Sequence, residues 1–391
     1  MEILWNKNYI KVMLANFLLY FAFYLFMPIL PIYLSESFGT PKDTIGLVIS
    51  GYTIAALVSR LFSGYMVDSY PRKKVLMICF FFFFIFFAGY LAAGTLLLFA
   101  IVRTLHGIPF GSLTVANSTV AIDVLPASRR NEGIGYFGLS NNLAMAIAPS
   151  IGIYIYNFTS DFTLLFWISL IIAGLGMLAD ASVSLQQKDI VCNTNKISLD
   201  RFFLTRAWLL GVNIAFFSFC YGVLSNYLAI YSKEVMGITG GTGTYFMLLS
   251  MGLFVSRIQG AKALRDGKLT QNAAEGVCIS VIGYFIFVAM PNNIGYYLSA
   301  ILIGLGNGHM YPAFLNMFIH TANHNERGTA NSSILIAWDA GFGLGILAGG
   351  FMAEEFGYAS AFWMVFLMNA IGVLLYFLYT RKFFLKREIK E

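Results

Sequence analysis

The residue with most chemistry to offer is an aspartate in the middle of an apolar run. Asp339 stands within Ala337-Trp338-Asp339-Ala340-Gly341, about ten residues into a stretch long enough to cross a bilayer, hence about 15 Å deep at 1.5 Å per residue. A carboxyl there can exchange a proton, particularly if hydrated from one side at a time, or can hold a cationic solute. The plainer alternatives are a buried partner for an arginine such as Arg103, or an acid kept permanently protonated. Ionisable groups in apolar spans are costly and mostly line a cavity, which favours the proton or cation role. Arg103 opens a second apolar stretch, Arg103-Thr104-Leu105-His106-Gly107-Ile108-Pro109-Phe110-Gly111. It must be paired, hydrated, bonded to backbone carbonyls or snorkelled outward. His309 lies in a third and can titrate, although a hydrogen-bonded packing role suits it as well. The amides and phenols Asn16, Tyr20, Tyr24, Asn117, Asn141, Asn142, Tyr221, Asn307 and Asn316, with Trp338, are candidates for lining a polar cavity at mid-depth. Asn16, Tyr20 and Tyr24 share one helix face by their spacing. Such a stripe lines a cavity or bonds neighbouring helices.

Side chains at such depth need spans to hold them. Of 391 residues, 58% are hydrophobic, 17% aromatic and only 11% charged, with a mean hydropathy of +0.73. Soluble domains carry about 25% charge, so lipid is the solvent that fits. A bilayer core of about 30 Å takes roughly 20 apolar residues per helix. On that measure the chain cuts into twelve runs, near 9–34, 44–67, 74–94, 96–121, 134–157, 162–184, 206–232, 241–261, 272–290, 294–319, 329–353 and 359–380. Lys7 and Lys11 precede a first run too long for a signal-peptide core, so it reads as a retained span. The longest polar interruption makes 185–205 a connector between two six-helix bundles, 1–184 and 206–391. Placing both termini on one side puts 20 of the 25 lysines and arginines there, and by the positive-inside rule that side is cytoplasmic. The net charge of +6 thus encodes orientation, not nucleic-acid binding. Val58-Ser59-Arg60 recurs as Val255-Ser256-Arg257 and Gly46 as Gly243, each 197 positions on, and Gly133 as Gly328 after 195, which signals an internal duplication. Cys79, Cys192, Cys220 and Cys278 have no spacing that suggests a metal or a disulfide framework. The phenylalanine run from Phe80 to Phe87 reads as lipid-facing bulk, and Gly341, Gly343, Gly345, Gly349 and Gly350 as close helix contact and bending.

Gly64-Tyr65-Met66-Val67-Asp68-Ser69-Tyr70-Pro71-Arg72-Lys73-Lys74 resembles the major facilitator superfamily loop G-x-x-x-D-x-x-G-R-[KR]-[KR], with Pro71 where the pattern prefers glycine. Gly64 lets two helices approach closely, and Asp68 sits where a carboxylate can cap a helix or pair with an arginine. With Arg60, Arg72 and Lys73 these residues form a candidate cytoplasmic gate; the basic run from Arg72 to Lys74 also serves topology. The stretch from Arg103 through Gly107 to Gly111 is similar to R-x-x-x-G-x-x-x-[GA], associated in proton-coupled members with the coupling step. Ala148-Pro149-Ser150-Ile151-Gly152, with Gly138 upstream, is similar to the G-x-x-x-G-P-x-x-G signature of the drug:proton antiporter branch, with Ala148 and Ala144 replacing glycines. Pro149 should kink its helix.

The resemblance implies an all-α polytopic membrane protein of twelve transmembrane helices in two pseudo-symmetric six-helix bundles. It implies a monomeric secondary active transporter working by alternating access, in which protons enter as a small amphipathic or cationic organic molecule leaves. Asp339, Arg103 and His309 would serve the proton, and no cofactor or metal would be needed. The bacterial inner membrane is the implied location. A symporter or facilitator for sugars or other metabolites shares the same architecture. A membrane-embedded lipid-modifying enzyme would need a cluster of His, Asp or Cys at one interface. The four histidines, His106, His309, His320 and His324, do not form one by sequence, and no P-loop pattern for ATP is present.

Overall fold

The computed structural model describes residues 3–40, 42–185, 202–238 and 241–388. Most of the 185–205 connector, with Cys192, lies outside them. Thirteen α-helices run through the described residues: α1 Lys7–Phe26, α2 Leu30–Phe38, α3 Lys42–Ser69, α4 Arg72–Ala92, α5 Leu96–Val124, α6 Arg130–Thr159, α7 Phe162–Ala181, α8 Trp208–Glu234, α9 Thr242–Arg265, α10 Leu269–Ala289, α11 Asn293–His320, α12 Arg327–Leu375 and α13 Arg381–Arg387. Local chemistry sets several of the starts. Asn6, Thr95, Asp161 and Asn292 each accept a backbone N–H of the first turn of α1, α5, α7 and α11, satisfying donors that a helix leaves orphaned. α12 is two helical stretches that meet at a kink at Gly357, whose φ of 82° and ψ of 162° only glycine adopts readily.

Eight helical stretches of the described chain are long and apolar enough to cross a bilayer, against the twelve runs cut from the sequence. One of the eight, Arg327–Arg387, contains two of those runs, divided at Gly357. α9 and α11 fall short because they carry polar residues, several of them buried. Arg257, Asn307, His309 and Asn316 are all buried, so a residue count weighted by hydropathy undervalues the helices that hold them.

The chain packs as two compact units. The first takes Met1–Gly133, Phe137–Phe203 and His324–Ser332; the second takes Ile134–Tyr136, Leu204–Asn323 and Ser333–Glu391. In the first, α5 lies along α3 and α4, and α7 along α1 and α4. In the second, α11 lies along α9 and α10. The tightest packing repeats between them. A Cβ at Gly107 or Gly111 of α5 would strike the backbone of Tyr52 or Ala56 on α3; a Cβ at Gly304 or Gly308 of α11 would strike Leu249 or Ser256 on α9. Gly304 and Gly308 stand 197 positions after Gly107 and Gly111, the offset already seen at Arg60 and Arg257. The helix α12 beds on α8 through Gly341 and Gly345, which abut the carbonyls of Ala215 and Phe219, and through Gly349 against Val223.

The phenylalanine run departs from its expected role. Phe80, Phe83 and Phe87 are 0% exposed while Phe81 and Phe82 are about half exposed. Helical spacing splits the run, turning one edge to the interior and leaving only the other to lipid.

Candidate functional site

At the end of α3 the expected gate residues meet the head of α12, and both belong to the first unit. Asp68 accepts the backbone N–H of Gly328 and of Thr329, each at 2.8 Å, and the Thr329 hydroxyl at 2.9 Å. It therefore caps a helix 260 residues further along the chain, placing a carboxylate on the positive end of the helix dipole. Arg72 donates to Asp68 at 3.2 Å and also to Asp123 of α5, so one guanidinium ties two carboxylates together. Gly64 is required by the approach: a Cβ there would lie 2.7 Å from Cα of Thr329 and 2.9 Å from Cβ of Ser332. The next turn of α12 is fastened as well. Ser332 donates to the Arg60 carbonyl at 2.8 Å, and Asn331 to the Val115 carbonyl at 3.2 Å and to Ser118. Arg60 reaches Thr114 with its guanidinium at 3.4 Å. Lys73 points elsewhere, donating to the carbonyls of Asp180, Ala181 and Val183 and so capping the C-terminus of α7.

Arg103 is fully buried within the first unit. It neither snorkels nor bonds to carbonyls. Nη1 donates to the Tyr90 hydroxyl at 3.1 Å, Nη2 to Sδ of Met27 at 2.9 Å, and the guanidinium lies 4.1 Å from the centroid of the Tyr52 ring. Gly107 and Gly111 place it there, since they draw α5 onto α3 where Tyr52 sits. On the α1 stripe Asn16 takes the helix-bonding use. Asn16 donates to Ser140 of α6 at 2.7 Å and accepts from Asn117 of α5 at 3.3 Å, bonding three helices. Tyr20 and Tyr24 stack on each other at 6.1 Å, and Tyr20 meets the edge of Phe110. Pro149 lies inside α6, and Gly152 abuts the Leu25 carbonyl of α1. Asn141 and Asn142 are half-buried on the same helix.

In the second unit Asp339 is half-buried in α12. Its neighbour Trp338 packs 6.1 Å from Tyr221 and edge-on to Tyr311 at 5.2 Å, so two of the expected cavity residues, Tyr221 and Trp338, lie together. Asn307 is buried on α11. His309 is held by Asn272: Nδ1 lies 2.9 Å from Oδ1, and Nδ2 of Asn272 donates to the His309 carbonyl at 2.8 Å. That two-point clamp joins α10 to α11, and Nε2 lies 3.4 Å from Oε1 of Gln259 on α9. Asn316 donates back to the Pro312 carbonyl at 2.8 Å, beside the proline that leaves that helix short of a donor. Among the described residues no group of three or more His, Cys, Asp or Glu could hold a metal ion.

Sequence reasoning missed the partners more than the principals. Asp123, Thr329, Asn331 and Ser332 carry no local signal, although Gly328 is visible as the repeat of Gly133. Tyr52, Tyr90 and His106 around Arg103 come from three helices and only packing unites them.

Comparison with known proteins agrees with this arrangement. The Major Facilitator Superfamily profile matches residues 12–274 and 274–390. The MFS-type transporter YhhS of Escherichia coli K12 is 24% identical over 358 residues, spanning 88% of this chain and 85% of that protein. In fold, the human organic anion transporter MFSD10 superposes with a TM-score of 0.78 at 15% identity, over 95% of this chain and 99% of that one. The E. coli fucose:proton symporter FucP gives 0.75 at 15%, over 94% and 97%. The chain belongs to the Major Facilitator Superfamily. It is a secondary transporter of that type and not an enzyme.

Proposed function

We propose that this chain is a proton-coupled exporter of a small amphipathic or cationic organic molecule, monomeric, crossing the bacterial inner membrane twelve times with both termini cytoplasmic. Its halves would be 1–184 and 206–391, working by alternating access. The bacterial relatives and the basic residues on the termini side support the location and orientation. One observation carries the mechanism: α12 bears both the latched head at Gly328 and Thr329 and, ten residues on, the carboxyl of Asp339. About 15 Å of unbroken helix joins them. A change in the charge of Asp339 alters which surroundings that turn of α12 prefers, and the helix that carries it also carries the capped end. Release of the Asp68 cap and proton transfer at Asp339 are then two ends of one movement. Arg103 supplies fixed positive charge in the other unit. The α6 signature around Pro149 and Gly152 favours the exporting direction.

The fold likeness to a fucose:proton symporter makes a sugar the rival cargo, with solute and proton moving the same way. Purified protein, screened for stabilising solutes by thermal unfolding and then reconstituted in proteoliposomes with an imposed pH difference, separates the two. Export by exchange moves solute against the proton flow; symport moves it along.

A further inference from the structure

Three polar groups buried together in the first unit have no close hydrogen-bond partner among the described residues, Nε of Arg103, Nε2 of His106 and the hydroxyl of Tyr52, the Phe83 backbone being the one further hydrogen-bonding neighbour of the His106 ring. Exposure of the three is 0%, 0% and 2%. Arg103 and His106 are linked through Tyr90 in one hydrogen-bonded chain, while Tyr52 meets the guanidinium with its ring. Arg103 donates to the Tyr90 oxygen at 3.1 Å, which leaves the Tyr90 hydrogen for Nδ1 of His106, 2.8 Å away. In the tautomer that accepts the Tyr90 hydrogen at Nδ1, a neutral His106 carries its proton on Nε2, and Nε of the arginine is then a second buried N–H donor. The imidazole sits in an aromatic box, 4.8 Å from Phe83, 4.9 Å from Phe87 and stacked at 5.5 Å on Phe86. Titratable or charged groups facing it are Tyr52 from α3, Tyr90 from α4 and Arg103 from its own helix. α1 contributes Phe23 and Phe26 beside the guanidinium. Met27 sulfur, a phenol and aromatic faces are weak compensation for a buried full charge.

We propose that Arg103, Tyr90 and His106 form a linked anion and proton site, in which a carboxylate on the solute engages the Arg103 guanidinium and His106 then takes up a proton. A surplus of N–H donors is what an acceptor-only group satisfies, and a carboxylate accepts from two guanidinium N–H groups at once. Beside an uncompensated Arg103 the imidazolium is opposed by a like charge; beside a neutralised one it is not. A hydronium ion of the bulk solvent gives its proton to Nδ1 and is left as water; Nδ1–H then donates to the Tyr90 oxygen, while the Tyr90 hydrogen turns to the carboxylate. No other bond is made or broken. The aromatic box favours the cationic ring through its π faces. Resting on the transport reading above, this narrows the cargo to an amphipathic molecule with a carboxylate in place of a cationic one.

Benzoate, an aromatic carboxylate, is the probe. Added to purified full-length protein in unbuffered detergent solution with a pH indicator, it should bind with proton uptake, and its affinity should fall as pH rises because the two ligands are linked. Arg103→Gln should weaken benzoate binding by at least about tenfold. His106→Gln should abolish proton uptake and make the remaining affinity independent of pH, and Tyr90→Phe, which keeps the ring, should diminish the linkage. Proton uptake by His106→Gln equal to wild type, wild-type affinity in Arg103→Gln, or no benzoate binding by the wild type would each overturn the proposal. Proteoliposomes keep the two readings apart. Wild-type protein that moves no solute under a pH difference defeats the transport reading. Wild-type transport matched by His106→Gln across the pH range defeats only this site.

Discussion

Asp68 shows how much a single carboxylate can hold. It accepts three hydrogen bonds from Gly328 and Thr329 and a fourth from Arg72. At about 1 kcal/mol each for the three bonds to α12, with a helix-dipole contribution of about 0.3–1 kcal/mol, Asp68→Ala should loosen the head of α12 by about 2–4 kcal/mol. The measurement is the thermal midpoint of purified protein, which should drop, together with a lower transport rate; a variant with wild-type values on both would deny the latch. Asp339→Asn keeps the shape and removes the titration. Transport driven by a pH difference should fall at least about tenfold, a loss of about 1.4 kcal/mol or more in coupling, with little change in thermal midpoint. If transport and its pH dependence stay as they were, Asp339 is not the proton carrier. Both residues are legible in the sequence, Asp68 through its motif and Asp339 through the cost of an acid at mid-span. Their surroundings are not: Thr329 is one more polar residue until folding sets it against Asp68.

Among elements, glycine decides which helices touch. Gly107 and Gly304 sit at equivalent places in α5 and α11, each against a backbone carbonyl of its neighbour, whereas Gly343 of α12 has open space where a Cβ would go. Gly107→Ala and Gly304→Ala should each lose about 1–3 kcal/mol by overpacking. Gly343→Ala should lose nothing and gain up to about 1 kcal/mol in helix propensity. Thermal midpoints of the three variants check the contrast, which a shared drop would refute. Sequence shows that the glycines cluster, and it shows the duplication through Val58-Ser59-Arg60 and Val255-Ser256-Arg257. Which of the clustered glycines bears a contact depends on helix phase, and Gly341, Gly345 and Gly349 differ from Gly343 on that ground alone. The phenylalanines of α4 make the same point. Composition alone assigns Phe80 to Phe87 to lipid, yet helical phase buries Phe83 and Phe87 against His106.

For the molecule as a whole, composition fixes the solvent and the class of fold, while the number of crossings depends on helices whose polar residues face inward. Hydropathy passes over α9 and α11 for that reason, while the break between the runs 329–353 and 359–380 already marks the place where α12 bends at Gly357. Topology is open to a direct check at Cys192 in the connector. In intact cells an impermeant maleimide should leave it unmodified and should react once the membrane is opened, with Cys192→Ser as the control; labelling from outside would reverse the assigned orientation. Transport itself rests on solute flux. With wild-type protein sealed in liposomes beside a cargo chosen by thermal stabilisation, an imposed pH difference should drive the cargo across unaltered, against the proton flow. A cargo that stays put under every gradient, or emerges as a different compound, would contradict a proton-coupled carrier.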